Sequence, residues 1–124
     1  MTSMGKPNLD VFAETLLEMA QADHNILAVT SDSRGSGKLT RFGETLPDQI
    51  IEVGIAEQNL VGIAAGLTAA GKIVYAVSPA CFLTARSFEQ IKNDVAYSDQ
   101  ARQSDQDQRG RELWCAWFYA SLAA

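Results

Sequence analysis

A single histidine, two cysteines and three prolines limit what this 124-residue chain can be. The cysteines, Cys81 and Cys115, lack the spacing of a zinc or redox motif. Two thiols in such a chain read as reduced, in a cytosolic setting. His24 stands alone in the polar turn Asp23-His24-Asn25 and reads as a solvated loop residue, not a catalytic base. No apolar run approaches the ~20 residues needed to span a bilayer. The polar opening, residues 1–7, holds no apolar signal core, so a cytoplasmic protein with no membrane partner is expected. Positive charge is scarce as well. Ten Lys and Arg, scattered along the chain, face fifteen Asp and Glu; the net charge of −5 argues against nucleic-acid binding.

What is present is strand–helix alternation. Asn8 or Asp10 is placed to cap a first helix, with Val11, Phe12, Thr15, Leu16 and Met19 as its apolar face. Ile26–Thr30 is a continuous apolar run, as in a parallel strand covered on both faces. A short helical connection over 39–45 and a turn at Pro47-Asp48 lead to a second strand, 50–53. A helix begins near Glu57 and ends at Gly71-Lys72, and a third strand follows at 73–77. A last helix carries Ala85, Phe88, Ile91 and Val95 on one face, with Arg86, Gln90, Lys92 and Asp94 mostly elsewhere. The pattern predicts a three-layer α/β unit with a parallel sheet and flanking helices.

Loops at the carboxyl ends of parallel strands are where such sheets bind ligands. The first of them, Ser31-Asp32-Ser33-Arg34-Gly35-Ser36-Gly37-Lys38, is not a phosphate-binding P-loop. Asp32 stands where the first glycine belongs, and Leu39 follows Lys38 in place of Ser or Thr. A flexible turn is the plain reading; a flavodoxin-like binding module using residues 31–37 is a weaker alternative.

The chain is organised around Glu52-Val53-Gly54-Ile55-Ala56-Glu57-Gln58-Asn59 and the small-residue run over 60–71. An acid at a helix start offsets the helix dipole. Its apolar neighbours Ile55, Ala56 and Leu60 nevertheless point Glu57 inward, and a buried carboxylate needs a partner. Gly62, Ala65, Gly66 and Ala69 allow close helix approach, either to the chain's own sheet or across a subunit contact.

The segments Gly54-Ile55-Ala56-Glu57-Gln58-Asn59 and Gly62-Ile63-Ala64-Ala65-Gly66-Leu67 resemble the pyrimidine-binding domain of the transketolase family of thiamine-diphosphate enzymes. They are most similar to the C-terminal subunit of two-subunit, or split, transketolases. The resemblance runs from about residue 8 to about 99 and includes Ser31-Asp32-Ser33 and Arg86-Ser87-Phe88-Glu89-Gln90-Ile91. It implies a thiamine-diphosphate-binding fold with an incomplete pyrimidine domain, and transfer of a two-carbon ketol unit between sugar phosphates.

By this resemblance Glu57 is the catalytic acid that hydrogen-bonds the pyrimidine ring nitrogen and favours the imino tautomer. Phe82 supplies an aromatic slot, with ordinary core as its alternative role. Asp32 lies near the cofactor and sugar, and Gln58 orients Glu57 or lines an interface. The family's Gly-Asp-Gly metal motif is absent from this sequence. The resemblance therefore implies that a separate diphosphate-binding (N-terminal) subunit holds Mg²⁺ or Ca²⁺, in an oligomer, and that this chain alone is inactive. Two related chemistries stay open: deoxyxylulose-phosphate synthase and the β subunit of 2-oxo-acid dehydrogenases. Asn59, where the synthase usually has histidine, favours the split transketolase.

The character changes after Asp99. Residues 100–112 are almost wholly polar and read as solvated or disordered; 113–124 are apolar and aromatic, with both tryptophans, Trp114 and Trp117. The expected division is a pyrimidine-binding-type domain over 1–99 and a tail of unrelated character over 100–124, either the mark of a truncated, non-catalytic remnant or a short helix docking on a neighbour.

Overall fold

The structure, a computed structural model, describes residues 5–98 and the backbone of Leu113–Phe118. Helix α1 (Asn8–Ala22) precedes strand β1 (Ile26–Thr30), then α2 (Thr40–Thr45), a 3₁₀ turn (Pro47–Gln49) and β2 (Ile50–Glu52). Helix α3 (Glu57–Ala69), strand β3 (Ile73–Pro79), helix α4 (Ala80–Arg86), a single turn (Phe88–Gln90) and a π-helical segment (Ile91–Tyr97) follow. A strand β4 (Leu113–Phe118) completes a sheet of order β2-β1-β3-β4, parallel throughout.

The expected three layers are present. Alternate residues of β1, β2 and β3 face opposite sides, and both sides are apolar. Ile26, Ala28, Ile50 and Val77 meet Leu16, Leu17 and Ala20 of α1, Leu39 just before α2 and Phe42 within it. Val29, Val74 and Ala76 meet Leu60, Val61 and Ala64 of α3 and Leu83 of α4, with Ile91 and Val95 packed against them. All five residues of β1 are buried, which explains its unbroken apolar run.

Several local expectations change. No side chain caps α1: the Pro7 carbonyl accepts the Asp10 and Val11 N–H groups at 3.0 and 3.2 Å, and Asn8 is already helical. The buried face of α1 centres on Leu16, Leu17 and Ala20 with Phe12 and Ala13 packed alongside, whereas Val11 and Met19 are exposed. The reason is spacing: 13, 16, 17 and 20 form one i, i+3, i+4, i+7 stripe, and 11 and 19 flank it. The last helix does not run evenly. It starts at Ala80 and breaks at buried Ser87, whose hydroxyl donates to the Leu83 carbonyl; Phe88 beyond the break is exposed. Gly71, with φ +87°, ends α3 as expected, its N–H and that of Lys72 closing onto the Thr68 and Leu67 carbonyls. Gly62 faces the π-helical segment, near Asp94, while Gly66 faces open space among the described residues.

The expectation of solvated chain over 100–112 lies outside the described residues. Within 113–124, Leu113–Phe118 forms a strand rather than a helix, pairing along β3 from Val74↔Leu113 to Pro79↔Phe118.

Buried Gln49 fixes the entry to the sheet. Its Nε2 donates to the carbonyls of Ala20 (2.9 Å), Ile26 (2.9 Å) and Asp23 (3.3 Å), and its Oε1 lies 3.2 Å from exposed His24 Nδ1. One amide therefore satisfies carbonyls at the end of α1 and the start of β1.

Candidate site at the carboxyl ends of the strands

Three chain segments meet at the carboxyl ends of β1, β2 and β3. The segment after β1 is anchored to β3 by hydroxyl groups. Ser31 Oγ donates to Ser78 Oγ at 2.7 Å, Ser33 Oγ donates to the Val77 carbonyl at 3.2 Å, and Thr30 Oγ1 lies 2.9 Å from Ser33 Oγ. Small polar side chains serve here because buried hydroxyls find partners on adjacent strands. Asp32, between these anchors, is exposed and adopts a left-handed conformation, φ +53°. That conformation is uncommon for any residue but glycine, and Asp tolerates it better than most.

Glu52 ends β2 and ties the two segments together. Its Oε1 accepts the N–H groups of Asp32 (2.5 Å) and Gly54 (3.1 Å), and its Oε2 lies 3.4 Å from Arg34 Nε. Gly54, with φ +72°, turns the chain toward α3. Ala56 is the N-cap and Glu57 the first helical residue, so the turn delivers Glu57 to the positive end of α3.

Glu57 faces inward, as its neighbours implied, and only 5 % of its side chain is exposed. Its partner is Arg86, the last residue of α4, whose Nη1 lies 3.1 Å from both carboxylate oxygens. The Arg86 guanidinium also stacks on Phe82, with Cζ 4.3 Å from the ring centroid. Phe82 is 43 % exposed, which separates it from an ordinary core residue. Arg86 thus joins Glu57 and Phe82 into one cluster. Gln58 points outward on α3 and is exposed, and Asp32 is tied to Glu52 rather than to this cluster.

Sequence reasoning missed Arg86 and Glu52 as site residues. Arg86 had a signal: an inward acid demands a cation, and Arg86 lies in a segment that carries the family resemblance. Glu52 had none, since a polar residue ending a strand is ordinary. Among the described residues, no group of three or more His, Cys, Asp or Glu could hold a metal ion. No helix among them is long and apolar enough to cross a membrane.

Residues 7–104 match the family model of the transketolase pyrimidine-binding domain. The chain is 56 % identical over 87 residues to an apulose-4-phosphate transketolase subunit from Phocaeicola vulgatus, covering 70 % of this chain and 28 % of that one. It is 41 % identical over 86 residues to 1-deoxy-D-xylulose-5-phosphate synthase of Mycobacteroides abscessus, covering 69 % of this chain and 13 % of that one. Among solved structures, a split gene transketolase in an inactive β4 tetramer superposes with a TM-score of 0.64 at 37 % identity, over 72 % of this chain and 30 % of that one. The chain therefore spans less than a third of the length of these relatives. The match over most of the chain and the parallel sheet with Glu57 at the start of α3 agree: the chain belongs to the transketolase pyrimidine-binding domain family.

Proposed function

We propose that this chain forms the pyrimidine-binding half of a thiamine-diphosphate-dependent transketolase, with residues 1–99 as the binding unit, in the cytoplasm. The observation that carries the reading is Glu57: a carboxylate buried at the start of α3, beside a half-exposed aromatic ring, within the matched family segment. The residues fit the group. A pyrimidine ring requires a carboxyl partner for its ring nitrogen and an apolar face, and Glu57 and Phe82 offer both within reach of one planar cation. When bound, thiamine diphosphate supplies the nucleophilic carbon for transfer of a two-carbon ketol unit between sugar phosphates.

The protein's own work is local. Glu57 holds a proton at the pyrimidine ring nitrogen, where burial keeps water from competing for it. Phe82 supports the ring face. Asp32 sits at the carboxyl end of β1, on the side where sheets of this type receive ligand, and serves the cofactor region and the sugar. Gln58, exposed on α3, is available to a neighbouring subunit. The diphosphate, with Mg²⁺ or Ca²⁺, belongs to a separate diphosphate-binding subunit, and the active species is an oligomer of both chains.

The test is reconstitution. Mixing the chain with a diphosphate-binding transketolase subunit, thiamine diphosphate and Mg²⁺ is expected to give a defined complex by size exclusion with light scattering. That complex is expected to show ketol transfer, lost by about 100-fold or more in Glu57→Ala. Retained activity in the variant overturns the reading. The likeness to the synthase supports a second chemistry; consumption of pyruvate with glyceraldehyde phosphate, in place of a ketose donor, identifies it. A chain that ignores partner and cofactor alike is a non-catalytic remnant.

A further inference from the structure

Arg86 is the residue that neither the family match nor the proposed chemistry assigns, and it touches both groups assigned to the pyrimidine. Its Nη1 donates to both oxygens of Glu57, while its Cζ sits over the Phe82 ring. A guanidinium is planar, delocalised, rich in N–H donors and prone to stack on aromatic rings. An aminopyrimidine whose ring nitrogen carries the proton shared with Glu57 would present the same features in the same slot: an N–H edge toward a carboxylate and a flat face against a ring. One planar group can occupy that edge and that face at a time.

Building the slot this way has a physical reason. A buried carboxylate without a partner is costly, so an empty site needs a cation inside it. A fixed, fully buried cation would hold the acid permanently. Arg86 is 49 % exposed and ends a short helix, so its side chain has a route into solvent. Only the Arg86 side of the pair is open to water, so the guanidinium can leave when another group takes its place on the buried Glu57 carboxyl.

We propose that Arg86 is an internal stand-in for the pyrimidine ring: its guanidinium fills the slot between Glu57 and Phe82 in the unloaded chain and leaves the Phe82 face when the ring binds. The inference rests on the proposed function, and it assigns Arg86 the role of a positioning residue that keeps Glu57 satisfied and aimed while the site is empty.

The test uses the full chain combined with a diphosphate-binding transketolase subunit, with isotope-labelled arginine, and thiamine diphosphate with Mg²⁺ as the probe. Without cofactor, the Arg86 side-chain resonances are expected upfield from the Phe82 ring current; at saturation they return to the range of solvated arginine. Calorimetry on Arg86→Gln is expected to show cofactor binding about three- to tenfold tighter, since the ion pair to Glu57 and the cation–π contact to Phe82 no longer compete with the ring. A ring-current shift that persists at saturation, or weaker binding by Arg86→Gln, overturns the inference while leaving the proposed function standing. Absence of binding by the unmodified complex, or unchanged binding by Glu57→Gln, overturns the proposed function and this inference with it. If Arg86→Gln fails to fold, the shift measured on the unmodified chain still decides.

Discussion

The Glu52 carboxylate accepts the backbone N–H of Asp32 at 2.5 Å, a bond that joins the end of β2 to the residue that leaves β1. The same oxygen takes the Gly54 N–H, and the other oxygen faces Arg34. Two left-handed residues, Asp32 and Gly54, are thus held by one acid. One backbone bond, from the Val53 N–H to the Thr30 carbonyl at 3.0 Å, also joins the two segments here. Glu52→Ala is expected to destabilise the chain by about 0.5–1.5 kcal/mol, since both N–H groups are exposed and water can replace the carboxylate. It is also expected to move the Asp32 and Gly54 amide resonances far more than those of α1. Thermal unfolding with a ¹⁵N spectrum checks both; unchanged amides would mean that the bonds are not made in solution.

Gln49 offers a contrasting case, because it is buried and its partners are backbone carbonyls. Gln49→Leu keeps much of the volume and removes the donors to Ala20, Asp23 and Ile26. The orphaned carbonyls are expected to cost about 1–3 kcal/mol. Since they sit at the junction of α1 and β1, exchange of the β1 amides with deuterium should quicken more than exchange on α3. Equal protection of both elements would argue that α1 docks without this clamp.

The glycines of α3 and its end predict opposite signs. Gly71 has φ +87°, so Gly71→Ala strains the backbone and is expected to cost about 1–2 kcal/mol. Gly66 lies inside the helix with nothing among the described residues within 4 Å of an added Cβ, so Gly66→Ala is expected to stabilise the chain by up to about 1 kcal/mol. Urea unfolding of both variants settles the pair. In a complex with a second subunit, a methyl group at Gly66 that lowers assembly while raising chain stability would locate the subunit contact on this face of α3.

Most of the fold was legible because its signals are local. The run Ile26–Thr30 reads as a fully buried strand since every residue of it is apolar or compact, and β1 lies between two strands and under two helical layers. Gly71 announced the end of α3 because a left-handed terminus favours one residue type. The errors are local as well. Val11 and Met19 read as core because they are apolar, but the stripe that packs is set by what α1 docks against. The break at Ser87 and the exposure of Phe88 are not legible because a helical period carries no record of a hydroxyl returning to the preceding turn.

The sequence by itself determined the strand–helix order, the position of Glu57 at the start of a helix and its inward direction, since all three follow from neighbours a few residues away. The tertiary structure alone decided whom that acid meets. Arg86 lies 29 residues beyond Glu57, and Asp32 lies 20 residues before Glu52. Contacts at such separations exist only after parallel strands have been laid side by side, which brings their carboxyl ends, and whatever side chains stand there, to one edge of the sheet.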